Sequence, residues 1–144
     1  MRTAWLGIAI AMGCGGKPAS TTPVQPDKPL FERLGGQPAI NAVVHEFVVT
    51  TGADPRISMY FANTDKAKLE AAMDDHICSI TGGGCAYKGK AMLAAHTGMK
   101  LRAQDFDAFM DDLQKTLAKL NVPARETGEV VAAFRSMQAD VVGH

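Results

Sequence analysis

The sequence predicts an all-α domain. Apolar residues recur at helical spacing through most of the chain, and no stretch alternates apolar and polar residues as a half-buried strand would. Glycine or proline also punctuates each periodic run near the point where a helix should stop.

The elements follow in order. Leu30 to Leu34 reads as a short helix halted by Gly35-Gly36. Pro38 suits a first helical turn, where its missing N–H has no partner to lose. Ile40, Val43, Val44 and Phe47 then continue at helical spacing until Gly52. Asp54-Pro55 opens a brief turn running to the aromatic corner Met59-Tyr60-Phe61. Thr64 or Asp65 caps the next helix, whose stripe is Leu69, Met73, His76, Ile77 and Ile80 and which ends at Gly82. Ala91 to His96 is a single turn or so. Asp105 starts the longest amphipathic helix, with Phe106, Phe109, Met110, Leu113, Leu117 and Leu120 inward. Pro123 begins the last, carrying Val130, Val131, Phe134, Met137 and Val141.

At 144 residues the chain is one domain with room for a modest core. Lysine plus arginine and aspartate plus glutamate balance at 15 each, so no electrostatic footprint points to nucleic acid or an acidic substrate. Eight methionines beside few aromatics suit an adaptable apolar pocket, although a methionine-rich core without any ligand has the same composition. No nucleophile–base constellation or paired zinc motif is visible, and Gly82-Gly83-Gly84 lacks the lysine and strand of a phosphate cradle. Asp74-Asp75 and Asp111-Asp112 read as solvated faces.

The N-terminus reads as a leader rather than as fold. Arg2 precedes the apolar run Ala4 to Met12, too short to span a bilayer as a helix, and the run meets Gly13-Cys14. Residues 1–13 resemble a lipoprotein signal peptide with Cys14 as the first mature, lipidated residue. Residues 14–29, rich in proline, serine and threonine, read as an extended tether, leaving 30–144 as the folded domain. This predicts an extracytoplasmic protein held at the membrane by lipid. Cys78 and Cys85 flank the Thr81 to Gly84 turn, so the chain reverses between them and a disulfide is within reach in an oxidising compartment. The alternative is two buried thiols.

Four features stand in register: Gly35-Gly36 after the first helix, Phe61 at the aromatic corner, Gly82-Gly83 ending a helix, and Gly89-x-x-Met92-x-x-x-His96. In these the chain closely resembles the truncated haemoglobins of the first group, without a gap from Leu30 to about Val122-Pro123. The resemblance implies a two-over-two helical sandwich holding haem b, with His96 as the iron ligand and its second ring nitrogen held by a nearby backbone carbonyl. It further implies Phe61, Leu69, Met73, His76, Met92, Phe106 and Phe109 as haem contacts, with Lys68 and Tyr87 at the mouth. The partner would be a diatomic gas: dioxygen, nitric oxide or carbon monoxide. Gas binding rather than catalysis is the expectation, since nitric oxide dioxygenase or peroxidase-like turnover needs a reductase.

The ligand-binding side departs from the family. Many relatives place a tyrosine after the phenylalanine of the second helix, where this chain has Val48 after Phe47. Relatives often carry glutamine or histidine on the facing helix, where this chain has Leu69, Ala72 and Met73. A missing donor weakens a hydrogen bond to polar dioxygen by about 1.5–3 kcal/mol. His76 is the exception on that stripe. It is open to several readings: a contact at the haem edge, a hydrogen bond to the ligand through water, a second iron ligand, or core filler satisfied by a carbonyl or propionate. Met73 is a further possible axial ligand. Two other classes therefore stand beside gas binding: a six-coordinate electron-transfer or redox-sensing protein, and a haem-free helical interaction domain. His45 falls on an outer helix face and His144 is terminal, so neither is assigned a role.

Overall fold

The computed structural model describes residues 28–144, so the leader, Cys14 and most of the tether lie outside the described residues. The domain is helical throughout: α1 (Leu30–Arg33), α2 (Gly36–Ala53), a 3-10 turn (Ser58–Tyr60), α3 (Lys66–Ile80), α4 (Met92–His96), α5 (Ala103–Lys119), α6 (Ala124–Arg135) and α7 (Gln138–Val141).

Local chemistry sets most boundaries. Gly35 and Gly36 take φ of 103° and 73°, a left-handed corner that separates α1 from α2 at little steric penalty. Asp65 caps α3 by accepting from the Lys68 backbone N–H at 3.2 Å, which resolves the choice between Thr64 and Asp65. At the start of α5 the Asp105 carboxylate reaches back to the Arg102 backbone N–H at 2.9 Å, so Asp105 lies inside the first turn rather than at its edge.

The core is one cluster in which α2 packs on α3 and α5, and α5 packs on α6. Ile40, Val44, Phe47, Met110, Leu113 and Leu117 are its sealed centre. Phe47 meets Phe109 edge-on with centroids 4.7 Å apart, a favoured aromatic arrangement. α1 is fastened from outside: Phe31 N–H donates to the Thr81 carbonyl at 2.9 Å, and Arg33 pairs with Glu126 and Glu129 of α6.

Several sequence expectations are corrected. α2, at 18 residues, is longer than α5, at 17, because Gly52 sits inside the last turn instead of ending it. Ile80 and Leu120, expected inward, are 38% and 37% exposed, since each sits where its helix has run past the core. The last helix is broken at Ser136-Met137, although no glycine or proline marks the place. The break lets α7 turn back onto α4.

Asp112 is the largest departure. It was expected on a solvated face, yet it is 2% exposed and its Oδ2 has no hydrogen-bond partner. Burial, then the neighbouring Asp54, push its carboxyl up to about 6, while Arg56 holds Asp54 down at about 2. A carboxyl raised in the folded state adds stability below its ordinary value and loses it as pH rises through about 6. Asp112→Asn removes that charge, so urea melts above pH 7 should show a gain of about 1–3 kcal/mol, the scale of a buried unsatisfied group. The gain should vanish below about pH 4; a pH-independent difference would contradict this account.

Candidate functional site

A cavity of about 420 Å³ lies between α3 on one side and α4, α5 and the α6–α7 corner on the other. Its size falls in the range of small-molecule and cofactor pockets, and its wall is mostly aliphatic and aromatic. Among the described residues no group of histidine, cysteine and carboxylate side chains could hold a metal ion by itself.

His96 closes α4 and lines this cavity. Its Nδ1 lies 2.7 Å from the Met92 carbonyl, one helical turn back. A carbonyl can only accept, so Nδ1 carries the proton. Of the two neutral tautomers this contact selects the one in which Nε2 keeps a free lone pair, the form a metal-binding imidazole needs. The motif Met92-x-x-x-His96 thus has a physical basis: the spacing supplies the carbonyl that selects the tautomer.

The opposite wall comes from α3. Leu69, Ala72, Met73 and His76 all line the cavity, as helical spacing predicts for one face. Both ring nitrogens of His76 are buried without a hydrogen-bond partner, so the carbonyl expected to satisfy a core histidine is absent. Burial pushes its pKa down, which keeps the ring neutral at physiological pH. The Tyr87 ring meets it edge-on at 4.9 Å between centroids.

Tyr87 rides on the loop between α3 and α4, and its hydroxyl donates to the Lys90 carbonyl at 2.9 Å. Gly89 makes this possible, because a Cβ there would lie 2.3 Å from the Tyr87 hydroxyl. A disulfide joins Cys78 to Cys85, with Cα atoms 5.7 Å apart, and ties the end of α3 to the start of that loop. Gly83 is equally confined, since a Cβ would lie 2.5 Å from both the Cys78 sulfur and the Phe31 ring.

Phe61, Met92, Phe106 and Phe109 complete the lining expected from the sequence. Lys68 does not join them; it is exposed and lies 3.6 Å from Asp65, because its position on α3 faces solvent. Lys90 is the lysine that reaches the wall. Val48 is buried in the core and is not among the cavity-lining residues.

Sequence reasoning missed one polar group of the wall, Tyr60 with Asp105. The Tyr60 hydroxyl donates to Asp105 Oδ2 at 3.1 Å, and Arg102 grips the same carboxylate at 2.8 and 3.0 Å. Arg102 holds the Asp105 carboxyl down at about 2, and burial followed by Asp105 raises the Tyr60 hydroxyl. The only sequence signal was Asp105 three residues after Arg102, which reads equally well as ordinary capping.

Comparison with known proteins places this architecture. The model of the bacterial-like globin family matches residues 29–142. A group 1 truncated haemoglobin of Tetrahymena thermophila is 37% identical over 114 residues, covering 79% of this chain and 94% of that protein. A Synechocystis group 1 truncated haemoglobin is 35% identical, covering 72% of this chain and 86% of its own length. Among solved structures, the Fe(III) truncated haemoglobin of Tetrahymena pyriformis superposes with a TM-score of 0.78 at 33% identity, covering 81% of this chain and all (100%) of that one. The 2/2 haemoglobin of a Synechococcus species, solved in the cyanomet state with covalently attached haem, gives 0.76 at 35% identity, covering 80% and 98%. The helices therefore form the two-over-two sandwich, and this chain belongs to the bacterial-like globin family as a group 1 truncated haemoglobin.

Proposed function

We propose that the cavity holds haem b with the iron on Nε2 of His96, and that the protein reversibly binds a diatomic gas on the α3 side. The observation that carries this reading is the 2.7 Å contact between His96 Nδ1 and the Met92 carbonyl, which leaves a metal-ready lone pair on the cavity wall. When bound, haem supplies an iron with one position left for a gas ligand. Phe61, Met92, Phe106 and Phe109 pack a flat apolar face, and Lys90 offers a cation to a peripheral carboxylate. Leu69, Ala72 and Met73 keep water from the ligand side and supply no hydrogen-bond donor. Adding haem to the purified protein should give a saturable Soret band that shifts at once with carbon monoxide. No band would select the haem-free reading, and sharp low-spin bands resisting the gas would select electron transfer. Any nitric oxide or peroxide turnover would need an external reductase.

We further propose that the protein lies outside the cytoplasm, anchored through lipid on Cys14. The Cys78–Cys85 disulfide supports it, because such bonds persist in oxidising compartments. Fractionation tests it: the protein should sediment with membranes and Cys14→Ser should release it, whereas wild-type protein in the soluble fraction would refute the anchor.

A further inference from the structure

His76 is the anomaly of the cavity. The other α3 residues on the wall, Leu69, Ala72 and Met73, have apolar side chains, yet His76 presents an imidazole with both nitrogens buried and unpartnered. Leaving such a group unsatisfied is unfavourable, and leucine or phenylalanine would fill the same space without that penalty. An orphan of this kind in a native fold calls for an explanation, and a bound species that completes it is one. Its ring is neutral and so carries one N–H donor, on the wall across from His96.

Its position is also restrained with unusual economy. The Tyr87 ring packs edge-on against it, and Tyr87 is itself pinned by its hydroxyl to the Lys90 carbonyl. Each ring stands two residues from a cysteine of the Cys78–Cys85 disulfide, so the bond links the backbone of α3 to the backbone that carries Tyr87. Among the described residues, no backbone–backbone hydrogen bond outside the helices involves the segment from Gly84 to Lys90, so the disulfide is its chief tie to α3.

We propose that His76 is the specificity-determining contact of this pocket, donating a hydrogen bond to a polar diatomic ligand, and that the disulfide acts through Tyr87 as its positioning restraint. This rests on the haem-binding reading above. It predicts discrimination by ligand polarity: dioxygen, which accumulates negative charge when bound, gains from the donor, and carbon monoxide gains little.

The test uses haem-loaded wild type, His76→Leu and His76→Gln. His76→Leu should release dioxygen about tenfold faster, the equivalent of about 1.4 kcal/mol, and leave carbon monoxide release nearly unchanged. The stretching frequency of the carbon monoxide complex should shift upward as the positive field of the donor is lost. His76→Gln keeps an N–H donor and should restore most of the difference. Cys78→Ala/Cys85→Ala should speed dioxygen release in wild type and add nothing in the His76→Leu background. A readout without haem is available too: apo His76→Leu should unfold at higher urea than apo wild type, because an orphan polar group has gone. Equal changes for both gases, unchanged dioxygen release, or an additive disulfide effect would overturn the proposal. So would a switch from low-spin to high-spin ferric spectrum on His76→Leu, which would make His76 an iron ligand. A protein that takes up no haem at all would instead fail the parent reading, and a less stable apo His76→Leu would reduce His76 to packing.

Discussion

His96→Ala should abolish saturable haem binding at micromolar protein, with affinity falling by more than about a hundredfold. Losing only the hydrogen bond behind a metal ligand typically weakens binding by about 10–100-fold, and this change removes the ligand itself. The fold should survive, because His96 is at the end of a short helix and is no part of the buried core. Haem titration followed by the Soret band reads the effect, and far-ultraviolet circular dichroism checks the fold. Added imidazole should restore the band by occupying the vacated volume. An alanine variant that binds haem as tightly as wild type, with the same spectrum, would remove His96 from the iron. Thermal melts add a second reading: haem at about a hundred times its dissociation constant should stabilise wild type by about 2.7 kcal/mol, and the variant should gain nothing.

Phe47→Ala should lower stability by about 3–5 kcal/mol, among the largest single-residue effects in the domain. Phe47 is 1% exposed and supports Phe109 edge-on at 4.7 Å. Truncation therefore leaves a void where α2 meets α5 and also removes the backing of a cavity-wall residue. For a domain of this size the melting temperature should fall by roughly 12–20 °C. Phe47→Leu refills most of the volume and should recover over half of the loss. If both variants melt within a few degrees of wild type, the core is not organised around this ring pair. The functional consequence separates the two predictions: Phe47→Ala should weaken haem retention only by loosening the wall, so its spectrum once loaded should match wild type.

Much of this molecule was legible in one dimension. The Gly35-Gly36 pair set the corner between α1 and α2, the Thr64-Asp65 dipeptide announced α3, and the apolar period of α3 and α5 marked the faces that meet in the core. These signals are local, because backbone torsion, caps and amphipathic period are properties of neighbouring residues. The run from Gly89 to His96 pointed at the site through its resemblance to a family motif, and the structure adds the local reason: one helical turn brings the Met92 carbonyl under the imidazole.

Other features depend on partners far away in the chain. Asp112 looks like half of a solvated acidic pair until Asp54 and Arg56 arrive from the end of α2 and bury it. Tyr60 is held at the cavity wall by Asp105, forty-five positions later, which accepts a hydrogen bond from its hydroxyl. The break between α6 and α7 has no residue to announce it and follows from packing on α4. Lys68 and Lys90 are indistinguishable by composition, and only the course of the loop after the disulfide decides which one reaches the wall.

The sequence by itself determined the all-α class, most of the helices, most of their apolar faces and the imidazole at the end of its short turn, all short-range consequences of torsion and periodicity. Tertiary structure alone decided which polar groups end up buried and unpaired. Desolvation depends on what every distant segment covers, and that is why the neutral, partnerless ring of His76 could be found only in the folded protein.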